Sequence, residues 1–94
     1  MLLEARRVIV RGRVQGVGFR WFVVRNARAL GVRGTVRNRP DGTVEAILQA
    51  QGVGLVETLI DRIRAGPTGA RVERVDVEPT DELAGNLDEM QVIR

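Results

Sequence analysis

The sequence predicts an α+β sandwich with the element order βαββαβ, and three observations carry that expectation. Segments with apolar residues at every second position alternate with two stripes at helical spacing. Glycine and proline fall between the helical stripes rather than inside them. The chain has 94 residues, enough for one small domain around a single core.

Each element follows from its pattern. Residues 5 to 14 put Val8, Val10, Gly12 and Val14 on one face, which predicts a first strand. "WFVVRNARAL", residues 21 to 30, sets Val23, Ala27 and Leu30 at helical spacing, and Gly31 supplies the stop. "RGTVRNR", the turn "PDG" and "TVEAILQA" come next, with Val44, Ala46, Leu48 and Ala50 alternating in the last. The pair reads as a hairpin with Asp41 as a turn former. Val56, Leu59, Ile60 and Ile63 form an i, i+3, i+4, i+7 stripe on a second helix, closed by Gly66 and Pro67. "ARVERVDVE" is a fourth strand whose apolar phase slips between Val72 and the pair Val75 and Val77, predicting a β-bulge. The tail "LDEMQVIR" adds a short edge strand through Met90 and Val92.

This is the ferredoxin-like split βαβ arrangement: an antiparallel or mixed sheet of four to five strands with two helices on one face. The crossover makes strands 1 and 2 parallel, and strand 3 inserts between them antiparallel. The C-terminal ends of strands 1 and 2 then share one edge. The glycine loop after Val14 is therefore expected beside Asn38, at the end of strand 2.

Composition narrows the chemistry. All 15 basic residues are arginine, and the chain has no Lys, His, Cys or Tyr. That excludes His and Cys nucleophiles, disulfides, and zinc sites built on thiolate or imidazole. A phosphate-binding loop of the P-loop type is excluded as well, since it needs a lysine. The net charge of +3 favours an anionic ligand only weakly. No apolar run approaches the roughly 20 residues that span a bilayer, and "MLLEARR" lacks the apolar centre of a signal peptide. Residues 1–94 are expected to form one cytoplasmic domain, a monomer off the membrane with no cofactor and no metal.

The stretch "VRGRVQGVGFR", residues 10 to 20, concentrates the unusual features. A G-x-G-x-x-G dinucleotide fingerprint fails, because Trp21 stands where its third glycine belongs. An RNA-recognition module shares the element order, but its stacking aromatics belong on the third strand, and "TVEAILQA" has none. No nucleic acid is expected. "DVEPT" at residues 76 to 80 is a poor match to an aspartyl-phosphate motif, with Glu78 in place of the second Asp. Two readings of the loop remain. One is a plain strand-to-helix turn that needs glycine. The other is a phosphate cradle, in which the backbone N–H groups of Gln15, Gly16, Val17, Gly18, Phe19 and Arg20 face an anion and the Arg20 fork grips two of its oxygens. The second reading accounts for more of the stretch.

The same stretch resembles the signature of the acylphosphatase family, matching at Val10, Gly12, Val14, Gln15, Gly16, Val17, Phe19 and Arg20. "GTVRNRPDGTV" is similar to a second motif of that family at Gly34, Val36, Arg37, Asn38, Gly42 and Val44, and "GPTGARVERVDV" resembles its C-terminal part. Thr35 departs from a position where the family usually has an aromatic, and Ala50 from one where glycine is common; both bear on local packing. The resemblance implies metal-independent hydrolysis of the carboxyl-phosphate bond of a small-molecule acyl phosphate. It further implies that Arg20 binds the phosphoryl group and Asn38 orients the attacking water. The residues by themselves leave two classes open, an acyl-phosphate hydrolase and a binding module of the same fold for RNA or a phosphorylated metabolite.

Overall fold

The computed structural model describes residues 3–81 and 89–93. Its elements run β1 (Leu3–Arg13), α1 (Phe19–Leu30), β2 (Arg33–Asn38), β3 (Val44–Gln51), α2 (Leu55–Ala65), β4 (Arg71–Pro79) and β5 (Met90–Val92). Leu87, Asp88 and Arg94 of the tail lie outside the described residues.

The strand order is β4-β1-β3-β2-β5. β3 lies between β1 and β2 and is antiparallel to both. Val10 and Asn38 both pair with Val44, so the ends of β1 and β2 sit at one edge of the sheet, as the element order requires. The expected edge strand is present, and it runs parallel to β2.

One parity of strand residues turns toward the helices. Val8, Val10, Val36, Val44, Ala46 and Leu48 from the sheet meet Val23, Val24, Ala27, Val56, Leu59, Ile60 and Ile63 in one buried cluster. Fully burying aliphatic side chains of this size contributes about 1.5–3 kcal/mol each, so this layer dominates the favourable side of folding. The two positions that depart from the family pattern are both accommodated. Ala50 is buried in the same cluster, and half-buried Thr35 pairs with Ile47 and Gln91.

Two local features shape the edge that carries the glycine loop. The first is the bulge. Arg11 pairs with Arg74 and Gly12 with Val72, which leaves Glu73 as the extra residue on β4. This explains the phase slip in "ARVERVDVE". Gly12 has φ 126°, and a Cβ there would run into the Arg71 carbonyl oxygen and come within 2.9 Å of the Glu73 nitrogen. The second is the start of α1. The helix begins at Phe19, two residues before the stretch that periodicity marked, with Gly18 (φ 76°, ψ 18°) as its N-cap. Gly18 offers no capping side chain, so the polar signal that usually marks a helix start is missing from the sequence.

Gly12→Ala is expected to lower stability by about 2–4 kcal/mol, because the backbone of β4 must move to admit the methyl group. Gly16→Ala should cost only about 1 kcal/mol, the cost of its positive φ, since nothing lies within 4 Å of a Cβ at that position. Urea unfolding of the two variants checks the order. Equal midpoints would show that the bulge yields easily.

Candidate active site

The segment from Val14 to Arg20 is built from both ends inward. Val14 is buried below β1, and Phe19 is buried in the first turn of α1, its ring 6.0 Å from that of Phe22. Between these anchors Gly16 (φ 74°) and Gly18 (φ 76°) take the left-handed conformation that reverses the chain, while Val17 packs partly against the core. The side chains of Val17 and Phe19 thus serve the interior, and only their backbone N–H groups are available to an anion.

The start of α1 is electropositive for a simple reason. Its first hydrogen bond is Phe22 N–H to the Gly18 carbonyl at 3.0 Å, so the N–H groups of Phe19, Arg20 and Trp21 have no partner within the helix. No side chain caps them, and the first turn carries no acidic residue. The partial positive charge of the helix end is therefore unopposed where the glycine loop joins it. Arg20 is half-buried at this junction, and no ion pair or side-chain hydrogen bond engages it among the described residues.

Gln15 has a task that its sequence motif does not reveal. Its amide nitrogen donates to the carbonyl oxygens of Arg39 at 2.8 Å and Thr43 at 2.9 Å. Those two carbonyls bracket the β2–β3 turn, so the side chain ties the loop to the hairpin. Its backbone N–H makes no hydrogen bond among the described residues. The turn is rigid in its own right. Arg39 N–H donates to Thr43 at 2.8 Å, and the Asp41 carboxylate accepts from the Thr43 hydroxyl at 2.6 Å and the Thr43 N–H at 3.0 Å. Those Thr43 hydrogen bonds hold the Asp41 carboxyl below the ordinary carboxylate range, with help from the charges of Arg39 and Arg11. Asp41 is therefore the turn former that the sequence suggested.

Asn38 is the last residue of β2, immediately before this turn. Its amide oxygen is buried and receives no hydrogen bond among the described residues. A buried acceptor without a donor costs about 1–3 kcal/mol, so its retention needs a reason outside the fold itself. No group of three or more His, Cys, Asp or Glu residues that could hold a metal occurs among the described residues.

Comparison with known proteins places these residues in context. A family model described as acylphosphatase matches residues 6–88. An acylphosphatase of Nitrobacter hamburgensis is 47% identical over 85 residues, covering 90% of this chain and 82% of the relative. One from Thermococcus kodakarensis is 58% identical over 67 residues, covering 71% of this chain and 72% of that protein. The crystal structure of acylphosphatase from Bacillus subtilis superposes with a TM-score of 0.88 at 31% identity, over 99% of this chain and all of that one (100%).

The Gln15 tie can be probed without reference to activity. Gln15→Ala removes two hydrogen bonds and should cost about 1–3 kcal/mol in urea unfolding. Gln15→Glu keeps the shape but turns a double donor into a carboxylate facing two carbonyl oxygens, so at pH 7 it should be at least as destabilising. A Glu variant as stable as the wild type would show that the tie carries little.

Proposed function

The chain belongs to the acylphosphatase family and hydrolyses the carboxyl-phosphate bond of acyl phosphates; from that premise we propose which of its residues carry the reaction. The loop amides from Gln15 to Arg20 surround the phosphoryl group, and the Arg20 guanidinium binds two of its oxygens through a planar fork. Asn38 holds the nucleophilic water. Its amide oxygen accepts a hydrogen bond from the water while its NH₂ donates to a phosphoryl oxygen, which sets the water in line with the bond that breaks. The buried oxygen of Asn38, without a donor among the described residues, is the observation that carries this reading.

The step balances without a general acid. Water oxygen attacks phosphorus, the phosphorus–oxygen bond to the acyl group breaks, and the electron pair leaves with the carboxylate. The water proton passes to phosphate or solvent. A carboxylate of pKa about 4 needs no proton in order to depart. An alkoxide would need one, and the chain has no histidine to supply it. Placement and charge neutralisation are the main requirements of phosphoryl transfer. The arginine and the amides supply both, so the reaction is proposed to proceed without a metal.

In the same reading residues 1–94 act as one cytoplasmic domain, a monomer whose partner is a small molecule and not a nucleic acid. Edge strand β4 supports the monomer, since "RVERVDVEP" is heavily charged and so discourages strand pairing between chains. The absence of any aromatic from β3 supports the lack of base stacking. Among the described residues no helix is long and apolar enough to cross a membrane.

Release of inorganic phosphate tests the proposal. Acetyl phosphate should turn over in excess EDTA, and glycerol phosphate should be nearly inert; comparable rates on both would mean that a general acid has been missed. Arg20→Lys keeps the charge but loses the fork, so phosphate affinity and turnover should fall together. Asn38→Ala should lower turnover by about 10²–10³ with much less change in phosphate affinity. A folded Asn38→Ala enzyme that keeps a third of wild-type turnover would remove Asn38 from the water-holding role.

A further inference from the structure

Arg20 belongs to two features at once. It closes the glycine loop, and it also forms one end of a groove of about 470 Å³ lined by Arg20, Trp21, Arg28, Gln91 and Val92. Trp21 and Arg28 are seven residues apart on α1, which puts them on one helix face about 10 Å apart along the axis. β5 forms the opposite wall. Trp21 is 54% exposed, beside the residue proposed to grip the phosphoryl group. A large apolar ring left open at a helix start gains nothing for the fold, and it suits a ligand that brings a flat face to it.

The chemistry of the far end limits what that ligand carries. Arg28 already pairs with the Glu89 carboxylate at 3.1 Å and donates to the Met90 carbonyl at 3.2 Å. Among the described residues the groove therefore offers no free cation at its far end, and Glu89 disfavours a second anionic group there. What remains is an open indole, the Val92 wall and the uncharged amide of Gln91.

We propose that this groove holds the acyl half of the substrate, with Trp21 as the surface against which a flat, uncharged acyl group stacks, so that the enzyme prefers aromatic over small aliphatic acyl phosphates. The inference rests on the phosphoryl role given to Arg20 above. A substrate gripped there by its phosphoryl end reaches the groove with its acyl end, and the Trp21 ring is the first surface it meets. Trp21 is a specificity residue and takes no part in bond breaking.

The experiment compares benzoyl phosphate with acetyl phosphate. In the wild type the ratio of kcat/KM for benzoyl over acetyl phosphate should exceed one, and Trp21→Ala should lower that ratio about tenfold. Trp21→Phe should restore most of it. A ratio unaltered in Trp21→Ala overturns the proposal. Trp21 is the chain's single tryptophan, and there is no tyrosine, so its emission reports on the groove without catalysis. Benzoate added with inorganic phosphate should change that emission saturably, whereas acetate should not; identical responses to the two acids overturn the proposal. The Arg20 reading is judged separately. If Arg20→Lys hydrolyses acetyl phosphate at the wild-type rate, the phosphoryl assignment fails. If that variant is impaired while the Trp21→Ala ratio stays put, only the groove assignment fails.

Discussion

The two hydrogens of the Gln15 amide fall on the carbonyl oxygens of Arg39 and Thr43, residues far along the chain from the loop, and the geometry of the candidate site depends on that tie. Gly16 and Gly18 are exposed and have nothing packed over them. Val14 and Phe19 fix the two ends of the loop in the core, and Val17 packs partly against it between them. Those contacts tie the loop to the core and not to the strand end that carries Asn38. Gln15 supplies that second tie, because the hairpin turn it grips begins at the residue after Asn38. The turn is itself held by Asp41 and Thr43. A displacement of the turn would move the loop and Asn38 together, which keeps their relative placement when the molecule fluctuates.

Much of this was legible in the sequence, because periodicity and glycine placement are local signals. The element order and the slip at Val72 follow from patterns within single segments, and the antiparallel insertion of β3 and the convergence of the loop on Asn38 follow from that order through the crossover rule. The start of α1 was not legible, since Gly18 caps by conformation and leaves no Ser, Thr, Asp or Asn to mark the place. Neither was the work of Gln15. Its partners are backbone carbonyls of a turn, and every residue has a carbonyl. The reason for Gly12 was equally hidden, because the carbonyl it approaches belongs to Arg71 on a strand whose register is known only in three dimensions. The groove beside Trp21 needed the placement of β5, whose parallel direction no local pattern dictates.

The all-arginine basic set acquires a structural meaning on the face of the sheet away from the helices. Arg7 pairs with Glu45 and Glu78, Arg37 with Glu45, and both Arg11 and Arg74 with Asp76. Glu45 is shared by two guanidinium groups and is 14% exposed, so this pairing is partly shielded from solvent. Arginine suits such shared geometry because its fork presents several donors in fixed directions. Individually these pairs contribute little, about 0–1 kcal/mol when exposed. Their larger effect is to occupy positive charge on that face. Arg20, where the glycine loop joins α1, has no such partner among the described residues.

That contrast bears on how the site does its chemistry. A reaction whose leaving group needs no proton places no demand on a general acid, and the chain has no histidine, cysteine, lysine or tyrosine to act as one. In the proposed roles everything then rests on distances: a phosphoryl group among amides, a water on Asn38, and the charge of Arg20. Fixed distances call for a rigid frame. The frame found here combines two core anchors, a side-chain tie across the sheet edge and a turn closed by its own hydrogen bonds. Trp21 sits just outside this frame, on the exposed side of the first helical turn. In the proposed assignment a residue so placed sets which acyl group is accepted while the amides, the water site and the arginine stay where they are. Selectivity for the acyl end and gripping of the phosphoryl end would then be separated by a single step along the helix, from Arg20 to Trp21.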